Sequence, residues 1–411
     1  MIKLSQLLLF LTILLSPLYI LRGGFNTGFF PFYLPWTFLE LMILLSFFVT
    51  GITFIKGRYK FQELKTAIDP LICLFVLAAL VAVYTSYNFI GGLGILKAYI
   101  IEPVLFFYCL VFVIRQKGMN FVLAALIGVG LWLSVLAVLQ KTLGIFVFTP
   151  VEYYQGRMTA VYNSGNSLAL FLGPIALLVF SQFLSKEKYI RWGYLGLFLF
   201  FLLAIFLTRS RGGLVGLVAG LSVFTYAVLT LKSRFLRKIW YVVPLLVVSG
   251  LMIFLTYFYQ NYDFFPIDYS VPYTIGDTLQ IRYFLWGGTV NLLKDHWLFG
   301  AGLNGFKTLY SNQYRPVQYQ EQFQYPHNLL LTFWTEMGLF GLFTFLWLIV
   351  SLFGVLIRNL SISKRPLLGA SLIAMLSYWM VHGMVDVPYF KNDLSLEFWI
   401  VAALIEGWRS R

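Results

Sequence analysis

The chain has 411 residues, 60% of them hydrophobic and 19% aromatic, and only 11% charged. Soluble domains carry about 25% charged residues, so the composition excludes a water-soluble enzyme and a disordered chain alike. Thirty Lys and Arg against 16 Asp and Glu give a net charge of +14, an excess whose meaning depends on where the cations sit relative to the apolar runs. Cys73 and Cys109 both lie inside apolar stretches, so neither a disulfide framework nor a thiolate metal site is indicated.

A membrane helix needs about 20 mostly apolar residues to cross ~30 Å of hydrocarbon, and helices satisfy their own backbone hydrogen bonds there. About twelve runs of this kind occur, at roughly 4–21, 36–55, 70–85, 94–114, 119–140, 164–184, 190–208, 211–231, 239–258, 327–357, 367–385 and 394–409. The first lacks a small-residue cleavage site and is followed by another run, so it reads as a helix rather than a signal peptide. Nineteen cations fall in alternate loops: Lys3; Lys56, Arg58, Lys60, Lys65; Arg115, Lys117; Lys186, Lys188, Arg191; Lys232, Arg234, Arg237, Lys238; Arg358, Lys364, Arg365; Arg409 and Arg411. The positive-inside rule puts those loops and both termini in the cytoplasm, with an even number of spans. The charge excess is then a topology signal, and no nucleic-acid partner is implied.

One long loop, about 259–326, lies on the opposite, extracytoplasmic face. It is rich in Tyr, Phe, Trp and Pro, and from Asp277 to Asp295 it has helical periodicity through Ile281, Leu285, Trp286, Val290 and Leu293. The expected architecture is an all-α integral membrane protein, a single polytopic domain over 1–411, with short amphipathic helices in that loop.

Eleven cations lie outside the topology signal, and an ionisable group at membrane depth marks a pathway or site by default. In Thr208-Arg209-Ser210-Arg211-Gly212-Gly213 two guanidiniums stand between two spans with almost no loop; they read either as snorkelling anchors or as ligands for a diphosphate or other anion. Arg157 opens a polar stretch running to Asn166 that caps the next span or adds a phosphate contact. Gly300, Gly302 and Gly305 look like a nucleotide-binding fingerprint, but no strand precedes them and a tight turn is the better account. Pro326-His327-Asn328 stands where the long loop re-enters the membrane, followed by Glu336. An imidazole at a helix N-terminus is disfavoured as a cation, which suits His327 to the role of a base; a structural His is the plainer reading. Glu336 orients a partner or pairs with an Arg. His382 and Asp386 are spaced i, i+4 and so share a helix face; that spacing is half a metal site, but the three histidines are not paired at ligand spacing, so no metal and no cofactor is expected.

These residues resemble the O-antigen ligase and polymerase superfamily, with its Wzy-type C-terminal domain. The carriers are Ser210-Arg211-Gly212, Arg282 with Trp286, the run Leu298-Phe299-Gly300-Ala301-Gly302-Leu303-Asn304-Gly305-Phe306, Pro326-His327-Asn328 and Glu336-Met337-Gly338. Together they cover about 190–350. The resemblance implies a GT-C-type membrane glycosyltransferase that takes a glycan from an undecaprenyl-diphosphate carrier on the outer face of the cytoplasmic membrane. Its acceptor is lipid A-core for a ligase or another repeat unit for a polymerase. It also implies metal independence, and it maps the functional arginines onto Arg211 and Arg282 and the functional histidine onto His327. The remaining candidates, Arg157, Arg209, Asn328, Glu336, His382 and Asp386, are assigned to substrate binding. The rival from another class is a lipid-linked glycan flippase. A midplane site between inverted repeats is its signature, and neither feature is legible here.

Overall fold

The computed structural model describes residues 1–26, 33–185, 187, 189–233, 278–315 and 322–409. The run at 239–258, much of the long loop, and Lys186, Lys188, Arg234, Arg237, Lys238 and Arg411 lie outside the described residues. Among the described residues the chain is mostly helical. The main helices are α1 (Ile2–Leu14), α2 (Phe38–Lys56), α3 (Asp69–Tyr84), α4 (Phe89–Lys117, with a π-turn at Leu96–Ile101), α5 (Asn120–Leu143), α6 (Gly165–Ser185), α7 (Ile190–Leu207), α8 (Arg211–Lys232), α9 (Thr278–Asp295), α10 (Leu329–Asn359), α11 (Pro366–His382) and α12 (Asn392–Arg409). An antiparallel hairpin, β1 (Arg22–Asn26) with β2 (Tyr33–Thr37), amends the all-α expectation.

Seven of the described helices, α2, α4, α5, α6, α7, α8 and α10, are long and apolar enough to cross a membrane. The expected run at 4–21 forms only the 13 residues of α1 before a 3₁₀ turn begins at Ser16, and α3 and α11 have 16 and 17 residues. At 1.5 Å per residue these fall short of ~30 Å. The run at 394–409 becomes α12, which carries Asp393, Glu397 and Glu406 and buries almost its whole length inside the bundle. It is a core helix rather than a lipid-facing one.

Local chemistry sets several helix starts. Thr37 and Glu40 form a capping box on α2, with Thr37 N–H donating to Glu40 Oε2 (2.9 Å) and Glu40 N–H to Thr37 Oγ1 (3.2 Å). Ser210 accepts from Gly213 N–H to start α8. Asn328 accepts from Leu330 and Leu331 N–H, both at 3.0 Å, to start α10. Along α8, Gly212, Gly216 and Gly220 recur every four residues and face His382, Tyr378 and the Ala374 carbonyl of α11, so the two backbones approach closely.

The apolar run at 327–357 gives no hint that α10 is broken at Gly338 (φ 67°, ψ −176°). The Leu298–Ala301 segment fills the break. Ala301 N–H donates to the Thr335 carbonyl (2.7 Å) and Leu339 N–H to the Leu298 carbonyl (2.9 Å). A Cβ on Gly338 would stand 2.5 Å from the Leu298 oxygen, and one on Gly300 would stand 2.4 Å from the Thr335 oxygen. The glycines that look like a nucleotide fingerprint thus serve a tight turn, with positive φ at Gly300 and Gly302. One turn away, the buried Glu336 carboxylate accepts Asn304 N–H (2.5 Å) and Phe306 N–H (3.4 Å). Beyond this seam a small second core forms from Leu285, Leu292 and Leu293 of α9 with Ala301, Phe306, Leu309 and Tyr310. The helix expected at 277–295 is therefore present, and the loop segment docks on the bundle through α10.

Gly338→Ala should strain the break and push against Leu298, costing of order 1–3 kcal/mol. Glu336→Ala, which strands the Asn304 and Phe306 amides, should cost a similar amount. Thermal melts of purified protein in detergent check both, and unchanged melting temperatures would contradict the seam.

Candidate functional site

Helix α11 ends at His382. Its closing carbonyls are satisfied by the turn that follows, through Gly383 N–H to Trp379 O (2.8 Å), Met384 N–H to Val381 O (3.2 Å) and Val385 N–H to His382 O (3.1 Å). The turn's own acceptors then point away from the helix, and each of four successive residues receives one hydrogen bond from a different part of the candidate site. Gly383 O accepts Leu329 N–H (2.6 Å). Met384 O accepts the Asn328 side-chain amide (2.9 Å). Val385 O accepts Arg282 Nε–H (3.1 Å), and Asp386 Oδ1 lies 3.2 Å from His327 Nδ1. Buried carbonyls must find a donor, and here three of the donors, Asn328, Arg282 and His327, are residues singled out by sequence.

His327 and Asp386 form the chemical centre of this group. Asp386 Oδ1 also accepts Val387 N–H (2.9 Å). Burial alone would raise the Asp386 carboxyl. The hydrogen bond and charge of His327, with the Val387 N–H, outweigh it and hold Asp386 well below the ordinary carboxylate range. A carboxylate can only accept, so His327 Nδ1 carries a proton, and in the neutral imidazole Nε2 keeps its lone pair. The Asp386 side chain is 10% exposed and that of His327 37%, which leaves the imidazole open to a substrate while its partner is covered. His327 adopts φ +49°, an uncommon conformation for a non-glycine residue.

Arg282 projects from α9, and α9 is tied to the loop before His327 by Trp286 Nε1 donating to Pro326 O (2.9 Å). Burial disfavours the Arg282 guanidinium charge, Asp386 supports it and Arg157 opposes it. Arg211 is the first residue of α8, exposed, and without a hydrogen bond or ion pair among the described residues. Its neighbour Gly212 packs on the same turn: a Cβ there would lie 2.6 Å from His382 Cδ2 and 2.8 Å from Val385 Cγ2.

The structure separates the other sequence candidates. Arg157 is a clamp, donating to Thr208 O (3.3 Å), Glu152 Oε1 (3.1 Å) and Asn166 Oδ1 (2.8 Å). It brings charge to the site, with three of its five N–H donors already engaged. Arg209, at φ +53°, donates to Gln155 O (3.1 Å) and braces the same loop. Glu336 neither pairs with an arginine nor faces the turn, because the 304–306 backbone holds it. His382 and Asp386 do not share a helix face, since α11 stops at His382 and Asp386 lies in the turn that follows. His382 Nδ1 is 3.0 Å from Tyr378 Oη, whose hydroxyl donates to Ala169 O (2.6 Å). His382 therefore links α11 to α6, and its buried Nε2 has no hydrogen-bond partner among the described residues. Asn328 is both the helix cap and a tie to the turn. Sequence reasoning missed the carbonyls of Gly383, Met384 and Val385, for which residue identity carries no signal, and Tyr378, which reads as one more apolar core residue.

Two of the outlying cations have structural partners as well. Lys97 pairs with Glu40 at 3.1 Å. Lys391 bonds Ser167 Oγ and lies 5.8 Å from the Tyr162 ring centroid, and burial lowers its ammonium against the opposing charges of Asp393 and Asp386.

Arg282 and His327 are thus fixed to one turn, with Arg211 leading the helix packed beside it. This arrangement offers a base with a free nitrogen and fixed cations that need no proton bookkeeping. A comparison with curated proteins found no match. Residues 196–346, a stretch that contains Arg211, Arg282, His327 and Glu336, match the family model Wzy_C, O-antigen ligase, the same superfamily that the motifs resemble.

Proposed function

We propose that this protein is a membrane glycosyltransferase of the O-antigen ligase type, acting on the outer face of the cytoplasmic membrane. Its donor is an undecaprenyl-diphosphate-linked glycan and its acceptor a hydroxyl, that of lipid A-core for a ligase. The observation that carries this reading is the anchoring of both Arg282 and His327 to the turn after α11, within a chain whose 196–346 stretch matches the O-antigen ligase family.

In the proposed reaction the acceptor oxygen attacks the anomeric carbon from the face opposite the diphosphate. The bond between that carbon and the phosphate oxygen breaks, and undecaprenyl diphosphate leaves with the electron pair. His327 Nε2 takes the acceptor proton, and Asp386 holds the ring and balances the imidazolium that forms. Charge grows on the leaving diphosphate, where Arg282 and Arg211 offer bidentate donors that are always charged. Attack from the opposite face inverts the anomeric centre, and the chemistry needs no metal. Arg157 and Arg209 support this site by holding the loop beside it. The fixed cations and the base lie around a single turn, which favours chemistry at a fixed site over the alternating access of a flippase.

Removing the base or the diphosphate contact should abolish most transfer while leaving the fold intact. In reconstituted vesicles with a lipid-diphosphate glycan donor, His327→Ala should slow transfer by about 10²–10⁴-fold, and Arg282→Ala by about 10²–10³-fold. Normal rates in variants shown to be folded would overturn the assignment. Surface glycans of a deletion strain separate the two members of the superfamily: loss of all attached polymer indicates a ligase, single-repeat attachment a polymerase.

Asp386 also makes a prediction about pH. A carboxyl whose folded value is depressed adds stability that is fully present above about pH 4 and is lost as the pH falls toward the folded value. Asp386→Asn should therefore lower the melting temperature at pH 7, and the deficit should shrink as the pH is taken below 4. A deficit independent of pH would contradict an Asp386 carboxylate held ionised by the fold.

A further inference from the structure

Helix α11 runs from Pro366 to His382, 17 residues or about 25 Å. The candidate site occupies one end. At the other end a cavity of about 470 Å³ is lined by Met119, Ser363, Lys364, Arg365 and Trp408. Its floor is built rather than incidental. The buried Trp408 indole donates its N–H to Arg365 O (2.9 Å), and it lies against Gly369, where a Cβ would come within 2.4 Å of the ring. Asn120 Oδ1 holds one edge of the Arg365 guanidinium at 3.2 Å. Ser363 Oγ accepts Arg365 N–H (3.0 Å), which leaves the Ser363 hydroxyl proton to be donated. Lys364 is exposed and has no hydrogen bond or ion pair among the described residues.

The lining therefore offers an ammonium, the remaining guanidinium edge and a hydroxyl, set over an indole and a thioether, and it includes no carboxylate. The nearby acid on α12, Glu406, is already engaged, with Oε2 accepting Ala67 N–H (3.4 Å) and lying 3.9 Å from Arg409. Donors of one sign above an apolar floor suit a phosphate ester attached to something hydrophobic.

We propose that this cavity binds the phosphate of an anionic phospholipid headgroup, with the glycerol end against Trp408 and Met119. The loop-charge topology puts it at the cytoplasmic leaflet, where anionic lipids meet clustered Lys and Arg. The inference rests on the membrane reading of the chain and not on the transferase chemistry, since none of these residues belongs to the candidate site. Inorganic phosphate shares the headgroup's chemistry, so the test separates the two.

Native mass spectrometry of the full-length protein in detergent, titrated with phosphatidylglycerol, phosphatidylcholine or inorganic phosphate, reads the result directly. Wild-type protein should retain phosphatidylglycerol in preference to phosphatidylcholine, and the Lys364→Gln/Arg365→Gln double variant should bind it roughly tenfold more weakly. Because Arg365 also touches Asn120, Lys364→Gln alone, which breaks no intramolecular bond among the described residues, should show a smaller loss in the same direction. Equal retention by wild type and double variant would overturn the site. Binding of inorganic phosphate without any preference between the lipids would overturn the lipid assignment. Glycan transfer by both variants should stay at the wild-type rate, so failure here is distinguishable from failure of the transferase reading.

Discussion

The structure depends on how the end of α11 is satisfied. A helix that stops inside a protein of this kind leaves polar backbone groups with little water to meet them, and each unsatisfied group is costly. The turn Gly383–Asp386 solves this in two layers. Its N–H groups close the helix, and its outward acceptors take Leu329 N–H, the Asn328 amide, Arg282 and His327 in order. The same need for partners that terminates the helix therefore fixes the start of α10, the position of α9 and the orientation of the imidazole. A site made this way is pre-organised by bonds that the fold requires in any case.

The rest of the architecture brings those donors to the turn. The glycine stripe of α8 allows Arg211 to stand at the head of a helix packed directly against α11. The seam between Leu298–Ala301 and the broken α10 docks the loop region on the bundle, and the Trp286–Pro326 bond ties α9 to the approach of His327. Arg157 and Arg209 lock the polar loop before α6 into the same corner. Burial of Arg282 next to Asp386 places a permanent cation beside a permanent anion, and His327 lies on the anion's other side, so the local charges are balanced before any substrate arrives.

Much of this was legible in the sequence because it rests on local chemistry. Helix runs and the helical periodicity of 277–295 follow from residue spacing. Arg211, Arg282 and His327 stood out as ionisable groups that topology did not explain. What was hidden depends on backbone geometry. The i, i+4 spacing of His382 and Asp386 suggested a shared face, yet the helix ends between them. The break at Gly338 lies in an apolar run that reads as continuous helix, because its cause is a segment some forty residues earlier. The Arg157 stretch read equally as a cap or as a phosphate contact, and only the folded loop reveals Glu152, Asn166 and Thr208 around the guanidinium. The apolar runs are not alike in the fold: seven form described helices long and apolar enough to cross a membrane, others end in shorter helices, and α12 belongs to the core.

The central claim is that His327 and Asp386 work as one unit held by the α11 turn. A double-mutant cycle on the glycan-transfer rate tests it most directly, using His327→Ala, Asp386→Asn and the combination. If the carboxylate acts only through the imidazole, the double variant will be no slower than His327→Ala alone. Additive losses would show that Asp386 serves some other purpose and would contradict the account.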